Sequence, residues 1–171
     1  MGKLTADMKR VVLEQKLGFV ATVSPDGTAN LSPKGTTTVW DDDHLLFADI
    51  RSPNTVRNLK RNPSVEVNVV DVFSRRGYRF KGRGVVFENG SAFEEGVRIL
   101  DEAGFTISPE RIRSIVRIRV EQASELLSPA YDTGGQEAEL RERWTSYYTG
   151  LRPPHLAPAT QAGRRPTSAR A

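Results

Sequence analysis

The chain has 171 residues, 37% of them apolar, which suffices for one domain with a real core and falls short of two ordinary ones. It has no cysteine and two histidines, which removes disulfides, thiolate metal sites and cysteine nucleophiles and leaves too little for a histidine-rich metal centre, so no metal is expected. Of 25 basic residues four arginines (Arg152, Arg164, Arg165, Arg170) fall after position 151, leaving 21 basic against 21 acidic residues in a neutral body with a basic tail.

The opening stretch TADMKRVVLEQK spaces Met8, Val11 and Val12 as one face of a short helix, with Thr5 placed to accept from its first free amides. GFVATVS and ANLSP alternate around PDGT, the pattern of a β-hairpin. TTTVW and HLLFADI read as two strands separated by the acidic turn DDD. RSPNTVRNLKRNP is a two-turn helix with Ser52 as cap, Pro53 in its first position and Asn62-Pro63 as its stop. SVEVNVVDVF and YRFKGRGVVFE alternate around SRRG, a second hairpin. SAFEEGVRILDEAG opens with Ser91 and Glu94 at the spacing of a capping box. SIVRIRVEQASELL is a strand with one wet face, and GQEAELRERWTSYYTG a last helix. After it, RPPHLAPATQAGRRPTSARA has almost nothing to bury and is expected to be mobile. No apolar run reaches the length of a membrane span and no signal sequence is evident, so the chain is expected to be soluble and cytoplasmic, with no membrane partner.

Six or seven mostly antiparallel strands with short helices between them fit a small closed barrel, because closure removes exposed strand edges. A sandwich matches the strand count, but the helix between HLLFADI and SVEVNVV argues against it. That helix begins with Ser52, Asn54 and Thr55, and its free amides carry the positive end of the helix dipole. If the end of ANLSPKG lies beside it, Lys34 supplies a cation, Gly35 allows close approach and Ser32 and Thr55 donate hydroxyl hydrogen bonds, which together would take a phosphate. The same three residues serve equally as plain helix caps.

The order LGFVATVSPDGTANLSPKG, LLFAD, NTVRNLKRNPSVEVNV, YRFKGRG resembles the FMN-binding split barrel of the pyridoxamine 5'-phosphate oxidase superfamily. Within it the sequence is most similar to the flavin-nucleotide-binding branch. The resemblance covers residues 10 to 90 and extends weakly to SPAYD at 128 to 132. It implies a mainly β fold with short helices, an antiparallel split β-barrel over residues 1 to 150, with 151 to 171 as tail.

The resemblance also implies FMN as cofactor, with Ser32, Pro33, Lys34 and Gly35 along one side, Ala48, Asp49 and Ile50 along another, and the phosphate held by Lys34, the helix dipole, Asn54, Thr55 and either Arg57 or Asn58. The family's basic pair at the phosphate falls on Asn54 and Thr55, and its polar ring contact falls near Gly77, so neither is reproduced. The Arg, His and Trp motif that holds the pyridoxine substrate is absent from TGLRPPHLAPATQAG, so that oxidation is not expected. The expectation is an FMN-dependent oxidoreductase acting on a small molecule, without an assigned catalytic residue. A flavin-storage module without turnover is the alternative, a basic-tailed nucleic-acid binder a weaker one, and deazaflavin or haem the competing cofactors.

Trp40 and Phe73 are candidate ring-stacking residues, although strand aromatics more often belong to the core. Arg75, Arg76, Arg79, Lys81 and Arg83 form a basic stretch placed to reach a partner's cofactor or simply to wet a strand face. His44, His155, Asp71 and Asp101 are read as surface groups. A homodimer with the cofactor at its interface is implied by the family, with SIVRIRV and the aromatics Trp144, Tyr147 and Tyr148 as apolar surface for the partner.

Overall fold

In the computed structural model residues 2–151 are described; the tail arginines and His155 therefore lie outside the described residues. The elements run α1 (Ala6–Gln15), β1 (Gly18–Val23), β2 (Ala29–Lys34), β3 (Thr38–Val39), β4 (His44–Asp49), α2 (Pro53–Arg61), β5 (Ser64–Asp71), β6 (Arg76–Phe87), α3 (Ser91–Glu102), β7 (Ser114–Leu127) and α4 (Glu137–Gly150), with a 3-10 turn at Pro109–Arg111. These strands join one antiparallel sheet in the order β2-β1-β5-β6-β7-β4-β3.

The edges of this sheet are β2 and β3, which are consecutive in the chain. Lys34 ends one and Thr38 begins the other, and four residues span at most about 14 Å. The sheet must therefore curl until its two edges approach without pairing. This is the split barrel of the family resemblance, open along one seam where the alternation alone favoured full closure.

The interior is filled by alternate residues of the strands, among them Val20, Leu45, Phe47, Val67, Phe80 and Ile118, each buried almost completely. A second core under α3 gathers Leu46, Ala48, Leu100, Ile112 and Ile115. β4 lies between the two, with Leu45 and Phe47 facing the barrel interior and Leu46 and Ala48 facing α3. Burial on both faces is why HLLFAD reads as a continuous apolar run instead of alternating. The expected apolar surface of SIVRIRV is absent, because Ile115, Val116, Ile118 and Val120 are all spent on these cores.

Several local signals hold. Thr5 Oγ1 accepts from Met8 N at 3.3 Å at the start of α1, and Lys16 (φ 51°) closes that helix with its N–H on Val12 O at 3.1 Å. The turn between β5 and β6 is made by Val72 to Arg75, with Arg75 in the left-handed region at φ 58°. Two signals fail. The capping box at α3 does not form: Gly90, at φ 82°, occupies the cap position and offers no side chain. TTTVW yields only the two-residue β3, because Thr36 and Thr37 turn inward, Thr36 Oγ1 accepting from Ala48 N at 2.9 Å and Thr37 Oγ1 donating to Lys34 O at 2.9 Å.

Candidate functional site

The alternation of β2 decides where its polar residues go. Phe19, Ala21 and Val23 of β1 lie opposite Pro33, Leu31 and Ala29 of β2 on the outer face, so Asn30, Ser32 and Lys34 turn inward. Lys34 is 3% exposed. Its Nζ donates to Ser32 Oγ at 2.5 Å and to Ser52 Oγ at 2.8 Å, and lies 5.7 Å from the centre of the Phe47 ring. Among the described residues no carboxylate reaches ion-pair distance of this ammonium. Burial pushes Lys34 below the ordinary lysine value, opposed by the charge of Asp49 nearby.

Ser52 precedes the first residue of α2, yet its hydroxyl is engaged with Lys34 and makes no cap to the helix. Its own N–H donates to Asp49 Oδ1 at 2.6 Å, which fixes the turn from β4 into α2. The first-turn N–H groups of Asn54 and Thr55 therefore have neither an intrahelical acceptor nor a side-chain cap. Both serine hydroxyls accept from the ammonium, so their own O–H protons remain available to a ligand. A buried cation, two free O–H donors and the open end of a helix make a corner suited to an oxyanion.

Beneath this corner lies a polar layer. Thr22 Oγ1 accepts from Asn30 Nδ2 and from Asn58 Nδ2, each at 3.1 Å, and Asn30 Nδ2 also reaches Thr55 Oγ1 at 3.4 Å. Asn58 Oδ1 is buried without a partner among the described residues.

A cleft of about 440 Å³ opens from the corner. Of the residues anticipated from the sequence it is lined by Ser32, Pro33, Lys34, Gly35, Ala48 and Ile50. Asp49, Thr55 and Asn58 are buried behind that wall and Asn54 is exposed on the helix, so these four support or flank the cleft instead of lining it. Sequence reasoning missed Thr36, Arg51 and the apolar flap Phe105 to Ile107, which supplies the opposite wall. The flap follows Gly104, at φ 76°, which turns the chain out of α3, and Lys16 anchors it by donating to Ala103 O at 2.7 Å and by lying 4.9 Å from the Phe105 ring centre. That glycine directly after an apolar helix was the available signal.

The other candidates are used elsewhere. Trp40 packs on the α3 core and lies 5.0 Å from the Arg117 guanidinium, and Phe73 meets Tyr148 edge-on at 5.8 Å, so neither borders the cleft. Arg75 stacks on Trp144 at 3.5 Å, Arg76 pairs with Glu137 at 3.0 Å, and Arg79 and Lys81 share Glu66. His44 is paired with Asp41 at 2.8 Å. Asp71 is not the surface acid its position implied. It is buried and held by Arg141 at 2.5 Å. Burial opposes its charge, but the Phe73 and Ser74 N–H groups and Arg141 outweigh that and hold the carboxyl below the usual range. At Gly77 a side chain is excluded by packing, since a Cβ there would lie 2.1 Å from Val69 O.

Residues 4–127 match the family described as pyridoxamine 5'-phosphate oxidase. The chain belongs to this family. It is 27% identical over 129 residues to an uncharacterized protein of Methanocaldococcus jannaschii, a match spanning 74% of this chain and 83% of that protein. Among solved structures, HupZ of Group A Streptococcus superposes with a TM-score of 0.65 at 27% identity, over 73% of this chain and 95% of its own. An FMN-binding protein from Syntrophomonas wolfei shares the fold at a TM-score of 0.56 and 12% identity, over 70% and 84% of the two chains. This pyridoxamine 5'-phosphate oxidase family member carries no helix, among the described residues, long and apolar enough to cross a membrane.

Proposed function

We propose that this family member is an FMN-binding oxidoreductase acting on a small molecule, in a cytoplasmic setting. The observation that carries the reading is Lys34: an ammonium taken out of water and given two serine hydroxyls but no carboxylate among the described residues, at the uncapped start of α2. Burying a charge whose nearby counter-charge, Asp49, stays beyond ion-pair distance is costly, and the phosphate of a flavin nucleotide supplies a direct partner. The residues present fit the group. Lys34, Ser32, Ser52 and the first amides of α2 would hold the phosphate. Pro33, Ala48, Ile50, Phe105 and Ile107 give the apolar walls an isoalloxazine ring requires.

When bound, the flavin supplies the electron-transfer chemistry. The protein's part is to bind, orient and exclude water. Lys34 and Arg51 are the cations that line the cleft, and among the described residues no histidine or carboxylate lines it, so no side chain is assigned proton transfer. The Syntrophomonas wolfei protein that shares this fold is an FMN-binding protein, which accords with the reading.

A homodimer forms part of the proposal. Phe19, Val23 and Leu31 are 41%, 38% and 65% exposed on the outer face of β1 and β2, together with Pro33, whose backbone continues into the cleft. An apolar face of this kind in line with the pocket is the surface a second copy would cover.

The test is to titrate purified protein with FMN and follow quenching of flavin fluorescence, then to add reduced nicotinamide nucleotides without oxygen. Saturable binding followed by bleaching of the flavin band supports an oxidoreductase. Binding without reduction by any donor assigns a storage role, and absence of binding overturns the reading.

A further inference from the structure

α2 has a second flank, turned away from the cofactor cleft. There a hollow of about 420 Å³ is bounded by one side of the helix, the end of β4 and the first residues of β7. Arg57 and Lys60 enter from the helix, Arg113 from the residue before β7 and Ser114 from its start, and Glu88 and Asp49 complete the rim and floor. Lys60 is neutralised by Glu88 at 2.6 Å. The two guanidiniums are not: Arg57 donates to the neutral Asn54 Oδ1 at 2.8 Å, and neither it nor Arg113 has a carboxylate partner among the described residues. Asp49, 4% exposed, has one oxygen taken by the Ser52 amide and its charge offset by Lys34 on the far side. In the floor, Ser114 is 1% exposed and its hydroxyl has no hydrogen-bond partner among the described residues. A buried unpaired hydroxyl is uncommon unless something outside the protein satisfies it.

We propose that this hollow is a second oxyanion site, taking a phosphate group between Arg57 and Arg113 above the unpartnered Ser114 hydroxyl. Guanidiniums suit this ligand because their paired N–H groups match two oxygens of one phosphate. The β-sheet fixes the geometry: Ser114 is directly opposite Asp49 in the β4–β7 ladder, and the Arg113 N–H bonds Asp49 O at 2.8 Å, so the backbone from which the Arg113 side chain reaches out is rigid. The site is independent of the flavin reading, since it shares no cationic side chain with the Lys34 corner.

The test uses the full chain and potassium phosphate, titrated against potassium chloride at matched ionic strength while backbone amide shifts are followed by NMR. The expected result is saturable movement of Arg57, Arg113 and Ser114 that chloride does not reproduce. The double variant Arg57→Ala/Arg113→Ala raises the dissociation constant by about tenfold or more, the loss of at least one charge-assisted contact. Ser114→Ala, which removes a single oxygen, weakens binding without unfolding the chain and serves if the double variant does not fold. Shifts confined to residues 32–35 and 52–55, a response equal to that of chloride, or wild-type binding in the variants would overturn the proposal.

Discussion

Replacing Lys34 by alanine removes the buried cation of the cleft and leaves the backbone of β2, paired through Gly18 and Lys34, untouched. In the wild-type protein the ammonium is positioned by Ser32 and Ser52 before any ligand arrives, so little ordering is needed when a phosphate binds. The loss is that of a single charge-assisted hydrogen bond, about 1.5 to 3 kcal/mol, or a rise of about ten- to a hundredfold in the FMN dissociation constant. Flavin fluorescence titration of both proteins at one ionic strength measures it. Ligand-free stability serves as the control: the variant loses a buried charge with no ion-pair partner as well as two hydrogen bonds, so its denaturant midpoint is expected to stay close to the wild-type value. An unchanged dissociation constant in a folded variant would refute the assignment of this corner to the phosphate.

Four further outcomes concern Lys34 and three positions away from it. Because burial holds Lys34 below the ordinary lysine value, its charged form costs stability in the ligand-free protein, a cost relieved as pH rises through the lowered folded value. FMN affinity moves oppositely, falling over that window in the wild type and staying flat in Lys34→Ala, as titrations across alkaline pH will show. Asp71→Asn breaks the buried contact with Arg141 and is expected to cost about 1 to 3 kcal/mol in urea unfolding; since the folded carboxyl lies below its usual range, the wild-type contribution is present above the unfolded value and is lost as pH drops through the folded one. Gly77→Ala sets a Cβ 2.1 Å from Val69 O and should destabilise by more than about 2 kcal/mol in the same assay, overpacking against backbone having no rotamer to relieve it. Leu31→Asp places a charge on the exposed apolar face of β2 and should convert a dimer to a monomer in light scattering, with weaker flavin binding; a monomeric wild type would dismiss that surface.

Much of the fold was legible because its signals are local. The alternation of GFVATVS and SVEVNVV reports directly which side chains face the barrel, and Pro53 and Asn62-Pro63 bound α2 where the structure ends it. The capping box at Ser91 was misleading because Gly90, one residue earlier, takes the cap with a backbone conformation that needs no side chain. In the site, Lys34 and Ser32 were legible as an end-of-strand cation with a hydroxyl two residues away on the same face. The partnership of Lys34 with Ser52 was not, since it depends on how far β4 turns before α2 begins. The Phe105 flap lies some 70 residues from Lys34 in sequence, and only the pairing of β7 with β4 brings it there.

That last separation bears on how the protein is made. The residues that contact the ammonium (Ser32, Phe47 and Ser52) have been synthesised by the time α2 leaves the ribosome, whereas β7, the strand that β4 must pair with, is still to come. A nascent chain thus possesses the residues of the ligand corner before the strands that carry β2 and β4 into one sheet, and its β4 still lacks the β7 and α3 partners that complete its burial. Closing that gap awaits a pairing between positions such as Phe47 and Val116, a contact of long sequence separation and correspondingly slow formation. On the proposed reading, flavin present during translation would therefore find no assembled receptor until the late strand arrives.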